Sequence, residues 1–169
     1  APYGYDAETI YARMDAYQRA AARHMERIVT ERRLKPHPGA LESVQALHQT
    51  PGVLLGIVTG NVSTTAPHKL SAAGFDPAWF PVGAYGNESL DRDDLPRLAL
   101  ERAIDYTGAP IQPERVVVIG DTPADIACAR AVGAVAVAVC TGYSPRDELA
   151  ACQPDHLLDD LTTLLDVTL

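Results

Sequence analysis

The chain has 169 residues, 47% hydrophobic and 21% charged, which is the composition of one ordinary globular domain rather than of a disordered segment. Its 14 Lys and Arg residues against 22 Asp and Glu residues give a formal net charge of −8, with no basic patch to attract nucleic acid. No run approaches the roughly 20 apolar residues that a membrane-spanning helix needs. We therefore expect neither a nucleic-acid partner nor a membrane partner.

Two further features of the composition bear on location and on metals. The start of the sequence lacks the basic and apolar regions of a signal peptide, and the three cysteines contain no C-x-x-C pair. The five histidines are scattered without the spacing of metal ligands. We expect a protein of a reducing compartment, the cytoplasm, without a disulfide framework or a zinc cluster.

The first 35 residues are predicted to form a helical element that is separate from the alternating helices and strands of the rest of the chain. Residues 7–31 hold no Gly or Pro, and their apolar residues recur at intervals of three and four, which predicts one long amphipathic helix. From about residue 36, predicted helices and strands alternate. The helices are 40–48, 63–73, 95–107, 124–131 and 161–167, and the strands are 53–58, 80–84, 116–119, 135–139 and 155–158.

The short connections of this second part favour right-handed crossovers onto one parallel sheet covered by helices. We predict an α/β, three-layer, Rossmann-like fold. In open parallel sheets, ligands bind beyond the carboxyl ends of the strands, so the residues that follow each apolar run are candidates for a site.

A hydroxyl, a flexible backbone and an amide follow the first predicted strand. They belong to Thr59, Gly60 and Asn61, and all three suit hydrogen bonds to phosphate oxygens. The alternative is a turn followed by an ordinary helix cap.

Two carboxylates follow the strand 116–119, in the segment Gly-Asp-Thr-Pro-Ala-Asp. Asp121 lies at the strand end and Asp125 four residues later, so both can reach one cation. Magnesium prefers such hard oxygen ligands, commonly one or two carboxylates completed by phosphate and water. The alternative is that Asp121 caps the following helix and Asp125 complements its dipole.

Lys69 is one of two lysines in a chain with twelve arginines, and it lies ten residues beyond Thr59. A compact ammonium near a phosphate site explains its position, and so does a solvated helix face. Arg92 or Arg97 can supply the same charge from elsewhere.

Three segments resemble the haloacid dehalogenase superfamily, especially its phosphoglycolate-phosphatase-like hydrolases. They are residues 57–61, which end in Thr-Gly-Asn, residues 68–75, and residues 118–125, the most specific of the three. The likeness extends over nearly all of residues 36–165. It implies a haloacid-dehalogenase-like core and a hydrolase that acts on a small phosphorylated metabolite, such as phosphoglycolate.

The resemblance also implies a role for each candidate residue. Thr59, Gly60 and Asn61 would bind phosphate, and Lys69 would bind it as the charge partner, so that Thr59 and Lys69 are the candidate catalytic residues. Asp121 and Asp125 would hold Mg²⁺. In this superfamily an aspartate nucleophile accepts the phosphoryl group, and water hydrolyses the aspartyl phosphate.

The motif that would carry this nucleophile, a strand running into Asp-x-Asp-x-Thr, does not occur before Thr59. We therefore interpret residues 1–35 as the C-terminal part of a helical cap and residues 36–169 as a core without its first strand. Such a chain would be far less active by itself, and it would expose a sheet edge that favours pairing. The sequence sets neither the exact substrate nor the oligomeric state.

A non-catalytic phosphate- or nucleotide-binding module remains the alternative. A receiver-type signalling domain would place its acidic pair early and its lysine last, whereas Thr59 and Lys69 precede Asp121 here. A dinucleotide-binding fold would need a G-x-G-x-x-G segment after a strand, and the sequence has none.

Overall fold

The computed structural model describes residues 4, 6–31, 34–89, 91 and 94–168. Its α-helices are α1 (Ala7–Ala12), α2 (Met14–Glu31), α3 (Ala40–Gln49), α4 (Ala66–Ala72), α5 (Leu95–Thr107), α6 (Pro123–Ala131), α7 (Arg146–Ala151) and α8 (Leu165–Thr168). Its strands are β1 (Gly56–Thr59), β2 (Val82–Tyr85), β3 (Val117–Gly120), β4 (Val135–Val139) and β5 (His156–Leu158). Two 3-10 helices, Pro77–Trp79 and Pro113–Arg115, precede β2 and β3.

The prediction of one helix over residues 7–31 is wrong, because Arg13 interrupts it between α1 and α2. The Arg13 backbone has φ −102° and ψ −2°, and its N–H donates to the carbonyl of Ile10 at 3.1 Å. This bond spans three residues instead of the four of an α-helix, so the helix ends here and starts again at Met14. Tyr11 and Tyr17, on either side of the break, are 52% and 60% exposed.

The first strand is shorter than predicted, because its partner limits it. β1 pairs in parallel with β2, and the pairing begins at Gly56 opposite Val82. The residue before Val82 is Pro81, which has no N–H to donate to a strand ladder. Val53 and Leu55, which we predicted as strand residues, pack instead against the buried cluster of Leu47, Val137 and Leu164.

The strand β4 lies at the centre of the second sheet, between β3 and β5, and all pairs are parallel. Its side chains alternate between two buried clusters: Ala136 and Ala138 face the one that contains Leu149, and Val137 faces the one that contains Leu47. The predictions of helix 95–107 and strand 135–139 are confirmed residue for residue, and those of strands 116–119 and 155–158 within one residue. Helix α7 was not predicted.

The last predicted helix, over 161–167, is wrong at its start. The Leu161 N–H donates to the carbonyl of Pro38 at 3.1 Å, and the Ser43 hydroxyl donates to the carbonyl of Leu161 at 2.9 Å. Because both backbone groups of Leu161 bond to the segment around α3, Leu161 is not part of the helix, and α8 begins at Leu165. Residues 63–65 likewise form a turn before α4, where a helix from 63 was predicted.

The α/β fold with parallel strands is confirmed, but the sheet is in two parts. Within the described residues, β1 and β2 form one parallel sheet, and β3, β4 and β5 form another. β1 and β3 each lie at an edge of their sheet, and they carry Val58 and Ile119, which are 38% and 39% exposed. Helix α5 contacts β1, β2 and α6, and so connects the two parts. No described helix is long and apolar enough to cross a membrane.

Candidate functional site

The side chains of Thr59, Asn61 and Lys69 form one hydrogen-bonded group at the carboxyl end of β1. The Asn61 N–H and its side-chain Nδ2 donate to Thr59 Oγ1 at 3.1 and 2.8 Å. The Lys69 Nζ, on the last turn of α4, donates to Asn61 Oδ1 at 2.5 Å. The structure thus brings together three of the four residues predicted to bind phosphate.

The polar atoms of this group suit an anion. A hydroxyl has two lone pairs and one proton, and Thr59 Oγ1 already accepts two hydrogen bonds. Its own proton is therefore the part that can be donated to a phosphate oxygen. The ammonium of Lys69 uses one of its three protons on Asn61 and brings positive charge to the strand end.

Gly60, the fourth predicted residue, is exposed, and no heavy atom outside residues 59–61 lies within 4 Å of the position that a Cβ would take. It approaches another loop through its backbone, because a Cβ on Gly86 would overlap the carbonyl of Gly60. The Gly86 N–H donates to the carbonyl of Asn61 at 3.0 Å, and Asn87 Oδ1 accepts from the Ser63 N–H at 2.8 Å.

Sequence reasoning missed this second loop, which begins directly after β2. Its signal was present: Gly86 and Asn87 are polar turn residues at the carboxyl end of a strand, as Gly60 and Asn61 are. The loop ends at Glu88, whose carboxylate receives both guanidinium nitrogens of Arg102 at 2.9 Å. The pKa of Glu88 lies below its ordinary value. The hydrogen bonds from Arg102 are the largest cause and the Tyr85 N–H adds to them, whereas burial acts in the opposite direction.

The acidic pair lies at the start of α6. Asp125 Oδ2 accepts from the N–H groups of Asp121 and Thr122, both at 3.0 Å, and from the Thr122 hydroxyl at 2.7 Å. Thr122 is the N-cap residue, and Asp125 completes a capping box with it. Asp121, which we had considered as the cap, instead accepts from the Tyr143 N–H at 3.1 Å.

The donor set of this pair fits Mg²⁺. Asp121 follows β3, the Asp125 carboxylate accepts from its N–H, and magnesium is commonly held by one or two carboxylates plus phosphate and water. Across the described part of the chain, no group of three or more His, Cys, Asp or Glu side chains is arranged to hold a metal ion. A magnesium ion here would therefore take its remaining ligands from elsewhere.

The alternative charge partners differ in their surroundings. Arg97 pairs with Asp94 at 2.7 Å, and its side chain is 66% exposed. Arg92 lies outside the described residues. Lys69 is the cation that contacts the Thr59 group, although its role at phosphate stays a prediction.

Comparison with known proteins supports the same family. The HAD-hydrolase-like family model matches residues 95–164. A phosphoglycolate phosphatase of Vibrio vulnificus is 31% identical over 133 residues, which is 79% of this chain and 56% of that protein. One of Synechococcus elongatus is 32% identical over 132 residues, or 78% of this chain and 58% of that protein.

Among solved structures, CbbY from Rhodobacter sphaeroides in complex with phosphate has a TM-score of 0.71 at 25% identity. It covers 86% of this chain, and this chain covers 63% of it.

The structure is that of an α/β protein with polar groups at the ends of two parallel strands, and its fold is similar to that of haloacid dehalogenase-like proteins. The family model, the relatives and the solved structures agree on the haloacid dehalogenase superfamily, and the chain is similar to its phosphoglycolate phosphatases. The chain spans only a little over half the length of the curated relatives that it matches.

Proposed function

We propose that the protein to which this chain belongs is a Mg²⁺-dependent phosphatase of the cytoplasm that hydrolyses a small phosphate monoester, with phosphoglycolate as the first candidate. The observation that carries the proposal is the joined group of Thr59, Asn61 and Lys69 at the end of β1. Curated relatives that match 79% and 78% of the chain are named phosphoglycolate phosphatases, which supports the choice of substrate.

In this proposal the chain supplies the binding half of the site. The Thr59 hydroxyl and the Asn61 amide orient the phosphate, and Lys69 offsets the negative charge that builds on its oxygens during transfer. Asp121 and Asp125 would hold Mg²⁺, which would supply further positive charge against the negative charge of the phosphate. Asp121 is itself fixed by the Tyr143 N–H, and Asp125 by the N-terminus of α6.

The nucleophile of the proposed reaction is an aspartate outside this chain. Its carboxylate oxygen forms a bond to phosphorus as the bond to the leaving alcohol breaks, and the alcohol takes up a proton. Water then attacks the resulting aspartyl phosphate, which releases inorganic phosphate and restores the carboxylate. Residues 1–53 contain no Asp-x-Asp-x-Thr segment, which is why the aspartate is placed elsewhere.

Binding of inorganic phosphate and of Mg²⁺, measured by calorimetry on the whole chain, tests the chain's share of the site. We expect Lys69→Met to weaken phosphate binding by about 10-fold or more, because it removes a charge-assisted hydrogen bond. We expect Asp121→Asn to weaken Mg²⁺ binding instead.

Each variant has a matched control. Arg97→Met removes a cation that pairs with Asp94, and Asp105→Asn removes an exposed acid of α5. Both should bind as the wild type does. Equal phosphate affinity of Lys69→Met and Arg97→Met, or no phosphate binding by the wild type, would contradict the proposal.

A non-catalytic phosphate- or nucleotide-binding module would share these binding results. Turnover separates it from a phosphatase, since a module that has lost the chemistry binds phosphate but hydrolyses no ester, whatever segment is added to it.

A further inference from the structure

The loop that follows β2, residues 86–88, contacts the loop that follows β1, residues 60–63, at two places. The Gly86 N–H donates to the carbonyl of Asn61 at 3.0 Å, and Asn87 Oδ1 accepts from the Ser63 N–H at 2.8 Å. These two bonds hold the ends of the short segment 61–63. The side chain of Asn61, which links Thr59 to Lys69, therefore projects from backbone that a neighbouring loop fixes.

Glu88 is hydrogen-bonded both to the end of β2 and to α5. Its N–H donates to the carbonyl of Tyr85 at 2.9 Å, and its Oε2 accepts from the Tyr85 N–H at 2.9 Å. Arg102 of α5 donates to both carboxylate oxygens and, at 2.5 Å, to the carbonyl of Gly83. Helix α5 itself packs on β1 and β2. A continuous set of contacts thus runs from α5 through Glu88 and Asn87 to Ser63.

We propose that Asn87 and the Glu88–Arg102 ion pair are positioning residues of the phosphate site: they hold the 60–63 loop in the shape that receives a phosphate group. This inference rests on the proposed function of that loop. Asn87, Glu88 and Arg102 would not touch the substrate.

The type of contact explains why loss of the Glu88–Arg102 pair should change the 60–63 loop and leave the free energy of unfolding almost unchanged. Ion pairs that are partly exposed add little to the free energy of unfolding, and the side chains of Arg102 and Glu88 are 39% and 23% exposed. A bidentate guanidinium–carboxylate pair nevertheless fixes direction as well as distance. The backbone at Gly86 adds to this, because a Cβ there would overlap the carbonyl of Gly60.

The test compares Asn87→Ala and Glu88→Gln with the wild-type chain by three measurements: amide hydrogen exchange of Ser63 and Gly86, the Kd for inorganic phosphate, and the melting temperature. We expect exchange at both amides to rise by about 10-fold, and phosphate binding to weaken by a similar factor, since each variant removes one hydrogen-bonding link. The melting temperature should change little. Asn87→Asp keeps the acceptor oxygen and should keep Ser63 protected.

Arg97→Gln is the matched control, because it breaks an exposed ion pair on the same helix and should leave all three measurements unchanged. Wild-type exchange in both variants, or faster exchange with an unchanged phosphate Kd, would overturn the inference. Absence of phosphate binding in the wild type would overturn the proposed function instead, and the exchange rates would still decide whether these residues hold the loop.

Discussion

Each carboxylate of the acidic pair lies against a glycine that has no room for a side chain. A Cβ on Gly142 would overlap the carboxylate of Asp121, and a Cβ on Gly120 would overlap Asp125. Neither glycine has a positive φ, so the reason for glycine here is space and not backbone conformation. The positions of the two acids therefore depend on their neighbours as much as on their spacing in the sequence.

This close approach predicts that Gly142→Ala displaces the carboxylate of Asp121. We expect the variant to bind Mg²⁺ about 10-fold or more weakly, as is usual when a contact that orients a metal ligand is lost. Tyr143→Phe is the control, because Tyr143 is 96% exposed and it is its backbone N–H that makes the bond to Asp121. Calorimetric titration with Mg²⁺ measures both, and equal affinities would contradict the expected displacement.

Among individual residues, sequence reasoning proposed as candidates those whose signal is local. Thr59, Asn61 and Lys69 follow one strand within eleven positions, and Asp121 and Asp125 lie four apart. The residues that it missed make their contacts through the tertiary fold. Asn87 contacts Ser63 across 24 positions, and Glu88 contacts Arg102 across 14, so neither pair forms a pattern along the chain.

At the scale of elements, Asp155 joins three parts of the larger sheet layer. It precedes β5, and its Oδ2 accepts from the Ala136 N–H of β4 at 2.8 Å and from Arg130 of α6 at 2.7 Å. The pKa of Asp155 is lowered, most by the hydrogen bond from the Ala136 N–H and further by the hydrogen bond from Arg130. The carboxylate is thus more favourable in the folded state than in the unfolded one.

We expect Asp155→Asn to lower the free energy of unfolding at neutral pH. Because the pKa of Asp155 is lowered from 3.8 on folding, its stabilising contribution is complete above that value and disappears as the pH falls through the lowered pKa. The difference between the wild type and the variant should therefore vanish in strong acid. Urea unfolding at a series of pH values measures it, and Asp105→Asn is the exposed control. A difference that persists unchanged in acid would contradict this assignment.

Element boundaries show what a local pattern leaves out. Helix α5 and strand β4 have unambiguous periodicity and agree with prediction to the residue. The start of β1 depends on its partner, because β2 begins after Pro81. The start of α8 depends on the bonds that Leu161 makes with residues around α3, more than 100 positions away. Boundaries that are set by partners distant in sequence are beyond a single-sequence pattern.

At the scale of the whole molecule, the α/β fold was predictable, whereas the division of its sheet was not. Alternating helices and strands indicate a parallel sheet, but they do not say whether every neighbour is present. In the described residues β1 and β3 belong to separate sheets, and their apolar residues Val58 and Ile119 are more than a third exposed. Side chains of strands that are covered on both sides are normally buried, as four of the five residues of β4 are.

In the function proposed above, the two groups of the site lie at the ends of β1 and β3 and the nucleophile comes from elsewhere. The Thr59 group follows β1, and the acidic pair follows β3. A strand that paired with both would carry its own terminal residues to the same edge of the sheet. The central claim is therefore that this chain supplies phosphate and Mg²⁺ binding, and that catalysis requires an added aspartate.

The most direct measurement is Mg²⁺-dependent hydrolysis of p-nitrophenyl phosphate and of phosphoglycolate. It compares the folded chain alone with the same chain joined behind the strand and cap segment of a family member that carries Asp-x-Asp-x-Thr, each with and without Asp121→Ala. We expect no turnover by the chain alone, and turnover by the joined protein that disappears on removal of Mg²⁺ or of the Asp121 carboxylate. Mg²⁺-dependent turnover by the chain alone that Asp121→Ala abolishes would show that the nucleophile lies within these 169 residues, and the central claim would be wrong.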